Sequence, residues 1–134
     1  MAKKVFIGCD NAGIALKPAI LSVLNEVGCD VEEIGVFSAD DDTYYPLIAE
    51  KLCKALTEAD PSVQGILLCG TGIGMAMTAN KFPGVFAAVC HDIYSAERSR
   101  LSNDGNVLCM GARVIGPELA KTIARRWLGL TFQD

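Results

Sequence analysis

Leu67-Leu68-Cys69-Gly70-Thr71-Gly72-Ile73-Gly74 is an apolar run of strand length that ends in a thiol and turns at once through three glycines. The turn leads into a segment of helical period, so the stretch predicts a strand feeding a helix, the unit from which parallel α/β sheets are built. It also gathers a thiol, a hydroxyl and several backbone N–H groups at one point. That set suits a small anionic or carbonyl-bearing substrate.

Outward from this turn, apolar runs of strand length alternate with helical segments along the whole chain. Strands are expected at 4–9, 30–34, 64–69, 85–90 and 107–110, and helices at 12–27, 46–59, 73–80, 93–102 and 117–128. The alternation predicts an α/β fold with a mainly parallel five-stranded sheet. Leu16, Ile20, Val23, Leu24 and Val27 give the first helix one buried face, and Gly28 is placed to stop it. Pro18 is incompatible with a regular helix interior, so that helix either begins late or bends. There is no internal repeat and no low-complexity linker, and residues 1–134 read as one domain. The longest irregular stretch, 35–45, contains Asp40, Asp41 and Asp42.

Hydrophobic residues make up 51% of the chain, which favours a packed fold over disorder. The net charge of −4 argues against a nucleic-acid or anionic-membrane surface, though a local basic pocket can still take a phosphate. The N-terminal apolar run is too short for a secretory signal, and no stretch reaches the roughly 18 apolar residues of a membrane span. Six dispersed cysteines without CxxC pairing read as buried thiols, one of them reactive, in a cytoplasmic protein.

Ligands of open parallel sheets collect beyond the carboxyl ends of the strands. Cys9-Asp10-Asn11, Cys69-Gly70-Thr71 and Cys90-His91-Asp92 all follow expected strands. Taken alone, Gly70-x-Gly72-x-Gly74 is a weak signal, because it lacks both the GxGxxG spacing and the P-loop lysine; its plain alternative is a tightly packed strand-to-helix turn. Nucleotide binding is therefore not expected. Cys69 tips the balance towards chemistry, since the dipole and N–H groups at a helix start favour a thiolate that can act as nucleophile or base.

Gly8-Cys9-Asp10-Asn11-Ala12-Gly13, Asp42-Thr43-Tyr44-Tyr45-Pro46, Cys69 to Gly74, Ala79-Asn80-Lys81, Ser102-Asn103-Asp104-x-Asn106-Val107 and Gly111-Ala112-Arg113-Val114-Ile115-Gly116 together resemble the ribose-5-phosphate isomerase B family, which includes the galactose-6-phosphate isomerase subunits. The resemblance runs in order over nearly the whole chain. It implies a Rossmann-like three-layer sandwich that interconverts an aldose phosphate and its ketose with neither metal nor cofactor. It also implies a homodimer or dimer of dimers whose active site borrows residues from both subunits.

By the same resemblance, Cys69 matches the base that moves a proton between neighbouring carbons, and Thr71 with the N–H groups of Gly70, Gly72 and Gly74 supplies donors to the enediolate. Asp10 matches an aspartate that holds sugar hydroxyls or aids ring opening, the alternative being a helix cap. Tyr45 matches a substrate-lining tyrosine, Asn103 a donor to the enediolate oxygen, and Arg113 a phosphate-gripping arginine, against packing or a surface ion pair.

The chain also departs from the family pattern. Asn11 stands where a phosphate-holding histidine is usual, and Ser102 where a ring-opening histidine is usual. A serine hydroxyl does not titrate near neutrality, so ring opening lacks its ordinary acid-base group. His91, the one histidine, is a candidate replacement, with a hydrogen-bonded strand-end residue as the alternative. Family chains often continue into an arginine-bearing tail, whereas this sequence stops at Asp134.

Three features add little. The Asp40–Asp42 run reads as a solvated turn rather than a metal site, Arg125-Arg126 as a helix end facing solvent, and Met75 with Met77 as packing or subunit contact. The activity expected first is conversion of ribose 5-phosphate to ribulose 5-phosphate through an enediolate. The alternatives are the same chemistry on another sugar phosphate (erythrose 4-phosphate, allose 6-phosphate or galactose 6-phosphate, or a substrate already open-chain), and a non-catalytic sugar-binding subunit.

Overall fold

The computed structural model describes residues 2–133. In chain order it contains β1 (Lys4–Cys9), a 3-10 turn (Ile14–Leu16), α1 (Lys17–Val27), β2 (Asp30–Gly35), α2 (Tyr45–Glu58) and β3 (Gln64–Cys69). There follow α3 (Ile73–Ala79), β4 (Ala87–Val89), α4 (Ile93–Leu101), β5 (Val107–Gly111) and α5 (Pro117–Leu128). The strands form one sheet of order β2-β1-β3-β5-β4, and every pairing in it is parallel. The expected α/β, Rossmann-like architecture is present.

Helices cover both faces of the sheet, with α1, α4 and α5 in contact on one side and α2 and α3 on the other. That is why β1, β3 and β5 read as unbroken apolar runs rather than alternating ones, and all of β3 and β5 is buried. Trp127 on α5, only 1% exposed, is among the largest side chains closing the core. Edge strand β2 carries exposed Glu32 and Glu33, as one open side requires. No helix among the described residues is long and apolar enough to cross a membrane.

Two expected boundaries shift for local reasons. The helix anticipated at 12–27 divides into the 3-10 turn and α1, which places Pro18 in the first turn of α1, where its missing N–H costs nothing. Gly28 ends α1 at φ +83°. The strand anticipated at 85–90 shrinks to Ala87–Val89 because side chains take over the backbone groups around it. Asn106 Oδ1 accepts from Phe86 N–H at 2.8 Å. Asn80 accepts from Ala87 N–H at 2.7 Å and donates to Ala87 O at 2.9 Å. This pinning also blunts the open edge of the sheet.

The chain runs from β1 outward to β2 and then crosses back to β3 on the other side of β1. The crevice beyond the carboxyl ends of β1 and β3 is the switch point where such sheets bind ligands.

Candidate active site

Cys69 is the last residue of β3, buried to 5% exposure. Gly72 N–H donates to its Sγ at 2.9 Å, which fixes the sulfur at the mouth of the turn. Gly72 takes φ +81°, and a Cβ there would press on the Met110 backbone at 3.1 Å, so the turn requires glycine. Thr71 Oγ1 accepts from Ile73 N–H at 3.2 Å, leaving the hydroxyl proton to donate elsewhere.

Asp10 follows β1 and is nine-tenths buried. Its Oδ1 accepts from Gly13 N–H at 2.9 Å, so the carboxylate closes its own turn; it does not serve as the expected helix cap, because the 3-10 segment is capped at Gly13 without a side-chain bond. It also lines the pocket described below, and the two roles coexist. Tyr45 opens α2 and lays its ring against Gly74, where a Cβ would lie 2.4 Å from Cε1. Arg113 comes from the turn after β5. Ala112 N–H donates to Cys69 O at 2.8 Å and Arg113 N–H to Gly70 O at 3.0 Å, which clamps the arginine turn onto the cysteine loop.

These residues enclose a pocket of about 460 Å³ lined by Asp10, Ala12, Tyr45, Cys69, Gly70, Thr71, Ile73, Gly74, Met77 and Arg113. A thiol, a carboxylate, a hydroxyl and a guanidinium therefore face one volume. Arg113 makes no ion pair with the described residues, so its planar fork is available to an anion. No group of three or more His, Cys, Asp or Glu capable of holding a metal occurs among the described residues. Of the acidic run, Asp41 accepts from Thr43 N–H and Oγ1 within an exposed turn.

Five sequence candidates lie outside this lining: Gly72, whose N–H is already given to Cys69 Sγ, and Asn11, Ser102, Asn103 and His91. Asn11 is exposed on the turn beside Asp10. Ser102 and Asn103 precede β5 and so sit at its amino end, whereas Arg113 follows its carboxyl end. Asn103 lines a different hollow, of about 320 Å³, with Asn80 and Phe86. Ser102 Oγ accepts from Arg98 Nε at 2.8 Å and also from Arg98 Nη2, an i,i+4 arrangement that sequence reasoning passed over. His91 accepts a hydrogen bond from Gly111 N–H at its Nε2, at 2.9 Å, and does not reach the pocket.

Burial lowers the His91 pKa from its ordinary 6.5, opposed by the Asp92 carboxylate. Between the lowered value and 6.5 the unfolded chain binds more protons than the folded one. Stability therefore falls as pH drops through that window, and this group adds no pH dependence above it. Urea midpoints taken at about pH 7.5 and about pH 5 should show a smaller acid loss in His91→Gln than in the parent.

The lining residues that sequence reasoning missed are Ala12 and Ile73. Met77, read there as packing or contact, is 66% exposed and also lines the pocket, while Met75 is fully buried. Ile73 and Met77 are four apart on α3, so helical spacing from the glycine turn was the available signal.

Comparison with known proteins decides the family. The family model described as Ribose/Galactose Isomerase matches residues 5–134. The chain belongs to the ribose/galactose isomerase family. It is similar to D-erythrulose-4-phosphate isomerase 2 of Mycolicibacterium smegmatis, at 44% identity covering 98% of this chain and 88% of that one. It is likewise similar to ribose-5-P isomerase B of Listeria innocua, at 46% identity covering 96% and 86%. Among solved structures it matches ribose-5-phosphate isomerase B of Clostridium thermocellum with a TM-score of 0.90 and 40% identity over 98% of this chain and 87% of that one. As a member of the ribose/galactose isomerase family it is a sugar-phosphate isomerase.

Proposed function

We propose that this isomerase interconverts an open-chain four-carbon aldose phosphate with its ketose phosphate, using Cys69 as the base. The supporting observation is the fixed sulfur of Cys69 facing the same pocket as Arg113 and Asp10. The phosphate sits on the Arg113 fork and a sugar hydroxyl on Asp10. Sγ removes the proton from C2 as the C1 carbonyl becomes an enediolate. The same proton or a solvent proton is then delivered to C1, while the O2 proton moves to O1, leaving the carbonyl at C2. Thr71 and those backbone donors of the glycine turn not already given to Cys69 Sγ stabilise the developing oxyanion.

The four-carbon reading rests on proton chemistry. Ribose 5-phosphate closes a furanose ring through its C4 hydroxyl and needs an acid-base group to open it. In erythrose 4-phosphate that oxygen carries the phosphate, so no such ring forms. The lone pair of His91 is occupied by Gly111 N–H, and Ser102 stands at a position usual for histidine. A site without a free imidazole suits a substrate that arrives open. The relative named D-erythrulose-4-phosphate isomerase 2 agrees with this reading, and the one named ribose-5-P isomerase B keeps a five-carbon sugar as the second.

The site also calls for a second copy of the chain. Asn103 is separated from Cys69 by the length of β5, about 15 Å at strand rise. A substrate on Cys69 can meet Asn103 only if a partner presents it, and exposed Ile73, Met77 and Val114 around the pocket provide apolar surface for a homodimer. Initial rates with erythrose 4-phosphate and ribose 5-phosphate test the substrate. A kcat/KM at least about tenfold higher for the tetrose is expected from the ring-opening argument. Equal or better use of ribose 5-phosphate would overturn the four-carbon reading.

A further inference from the structure

The acceptor for Gly111 N–H is a side chain in a position where a parallel ladder would ordinarily supply a backbone carbonyl. β4 pairs with β5 only from Ala87 to Val89, and the last rung beyond it is Cys90 N–H to Cys109 O at 3.1 Å. Gly111 N–H then donates to His91 Nε2 at 2.9 Å. An accepting Nε2 places the ring proton on Nδ1 and leaves the ring neutral.

Gly111 is where β5 meets the cysteine loop. A Cβ there would lie 2.5 Å from Thr71 Cα and 2.6 Å from Gly70 O, so the two backbones are in direct contact. Its carbonyl accepts from Val114 N–H at 3.0 Å and Ile115 N–H at 3.1 Å, shaping the turn that carries Arg113. The N–H groups of the next two residues hold Cys69 O and Gly70 O. Without His91, the N–H of this buried hub would lose its acceptor, and the hub could relieve the loss only by shifting the turn or the loop.

We infer that His91 is a positioning residue of the isomerase: by accepting from Gly111 it sets the Arg113 turn against the Cys69–Thr71 loop, and with it the spacing between phosphate grip and base. The inference rests on the isomerase reading above for its kinetic consequence, though not for its effect on anion binding. It gives the lone histidine a role without substrate contact. A ring whose free lone pair holds a backbone N–H is not available to open a sugar.

The test compares His91→Leu, which removes the acceptor, with His91→Gln, whose Oε1 can occupy the place of Nε2. Inorganic phosphate affinity is measured by calorimetry, kcat and KM with the sugar phosphate that the parent turns over best, and melting temperature as the control for folding. His91→Leu should bind phosphate about tenfold more weakly, raise KM and lower kcat, while His91→Gln stays within about threefold of the parent throughout. Unchanged phosphate affinity and kinetics in a folded His91→Leu would overturn the inference. So would a folded His91→Gln impaired as severely as the leucine variant, and that arm decides the matter if the leucine variant does not fold. A parent inactive on every sugar phosphate, with the phosphate pattern intact, would remove the isomerase reading and leave the anchor standing.

Discussion

Cys69→Ala is expected to lower kcat by about 10³-fold or more while leaving a folded protein. The substitution removes the one group in the pocket that the proposed mechanism uses to carry the proton between C2 and C1. Its structural cost is small by comparison. The side chain is already at the end of β3, alanine fits a buried strand terminus, and the loss is mainly the acceptor of Gly72 N–H, worth about 1 kcal/mol. A kcat loss of that size corresponds to about 4 kcal/mol of transition-state stabilisation, far more than any loosening of the turn would explain. Steady-state rates and a melting curve on the same preparation separate the two effects. Activity within about tenfold of the parent would show that another group moves the proton.

Gly13→Ala should be the most damaging single methyl group in the molecule. A Cβ at Gly13 would stand 2.3 Å from both the carbonyl carbon and oxygen of Leu68 and 2.6 Å from Cys69 N. Those atoms are β3 backbone, held by β1 on one side and β5 on the other, and cannot yield as a side-chain tip would. The turn must lift instead, which breaks the Asp10 Oδ1 to Gly13 N–H bond and carries Asp10 away from the pocket. A loss of about 3 kcal/mol is expected, read as a drop of about 10 °C in Tm. Gly116→Ala is the control, since nothing lies within 4 Å of its Cβ position, and its stability should change by less than about 0.5 kcal/mol. Equal stability of the two variants would contradict the packing described for the Asp10 turn.

How far the chain could be read in advance follows from what each feature depends on. β1, β3 and β5 were legible because burial on both faces leaves a continuous apolar run, a property of the residues themselves. The length of β4 was not, because it depends on Asn80 and Asn106 reaching across from elsewhere to take backbone groups. Asp10 and Cys69 were legible together, since each stands at the carboxyl end of an expected strand and a parallel sheet gathers such positions at one edge, while Arg113 was assigned by resemblance and His91, grouped by the same strand-end logic, lies outside the pocket. Ser102 and Asn103 were grouped with them only by resemblance. Their place before β5 rather than after it was the available sign that one chain would not bring them to Cys69. The His91 contact depends on β4 stopping at Val89, and strand ends are fixed by such tertiary details rather than by local pattern.

Cys69 is proposed to move a proton between C2 and C1 of an open sugar phosphate. Proton NMR of erythrose 4-phosphate with the purified protein in deuterated water tests this most directly, beside Cys69→Ala at the same concentration. The parent should form the ketose, carrying deuterium at C1 to the extent that the thiol proton exchanges with solvent before delivery, and the variant should show neither ketose nor exchange. Exchange at parental rate in Cys69→Ala, or no ketose from the parent, would contradict the proposal.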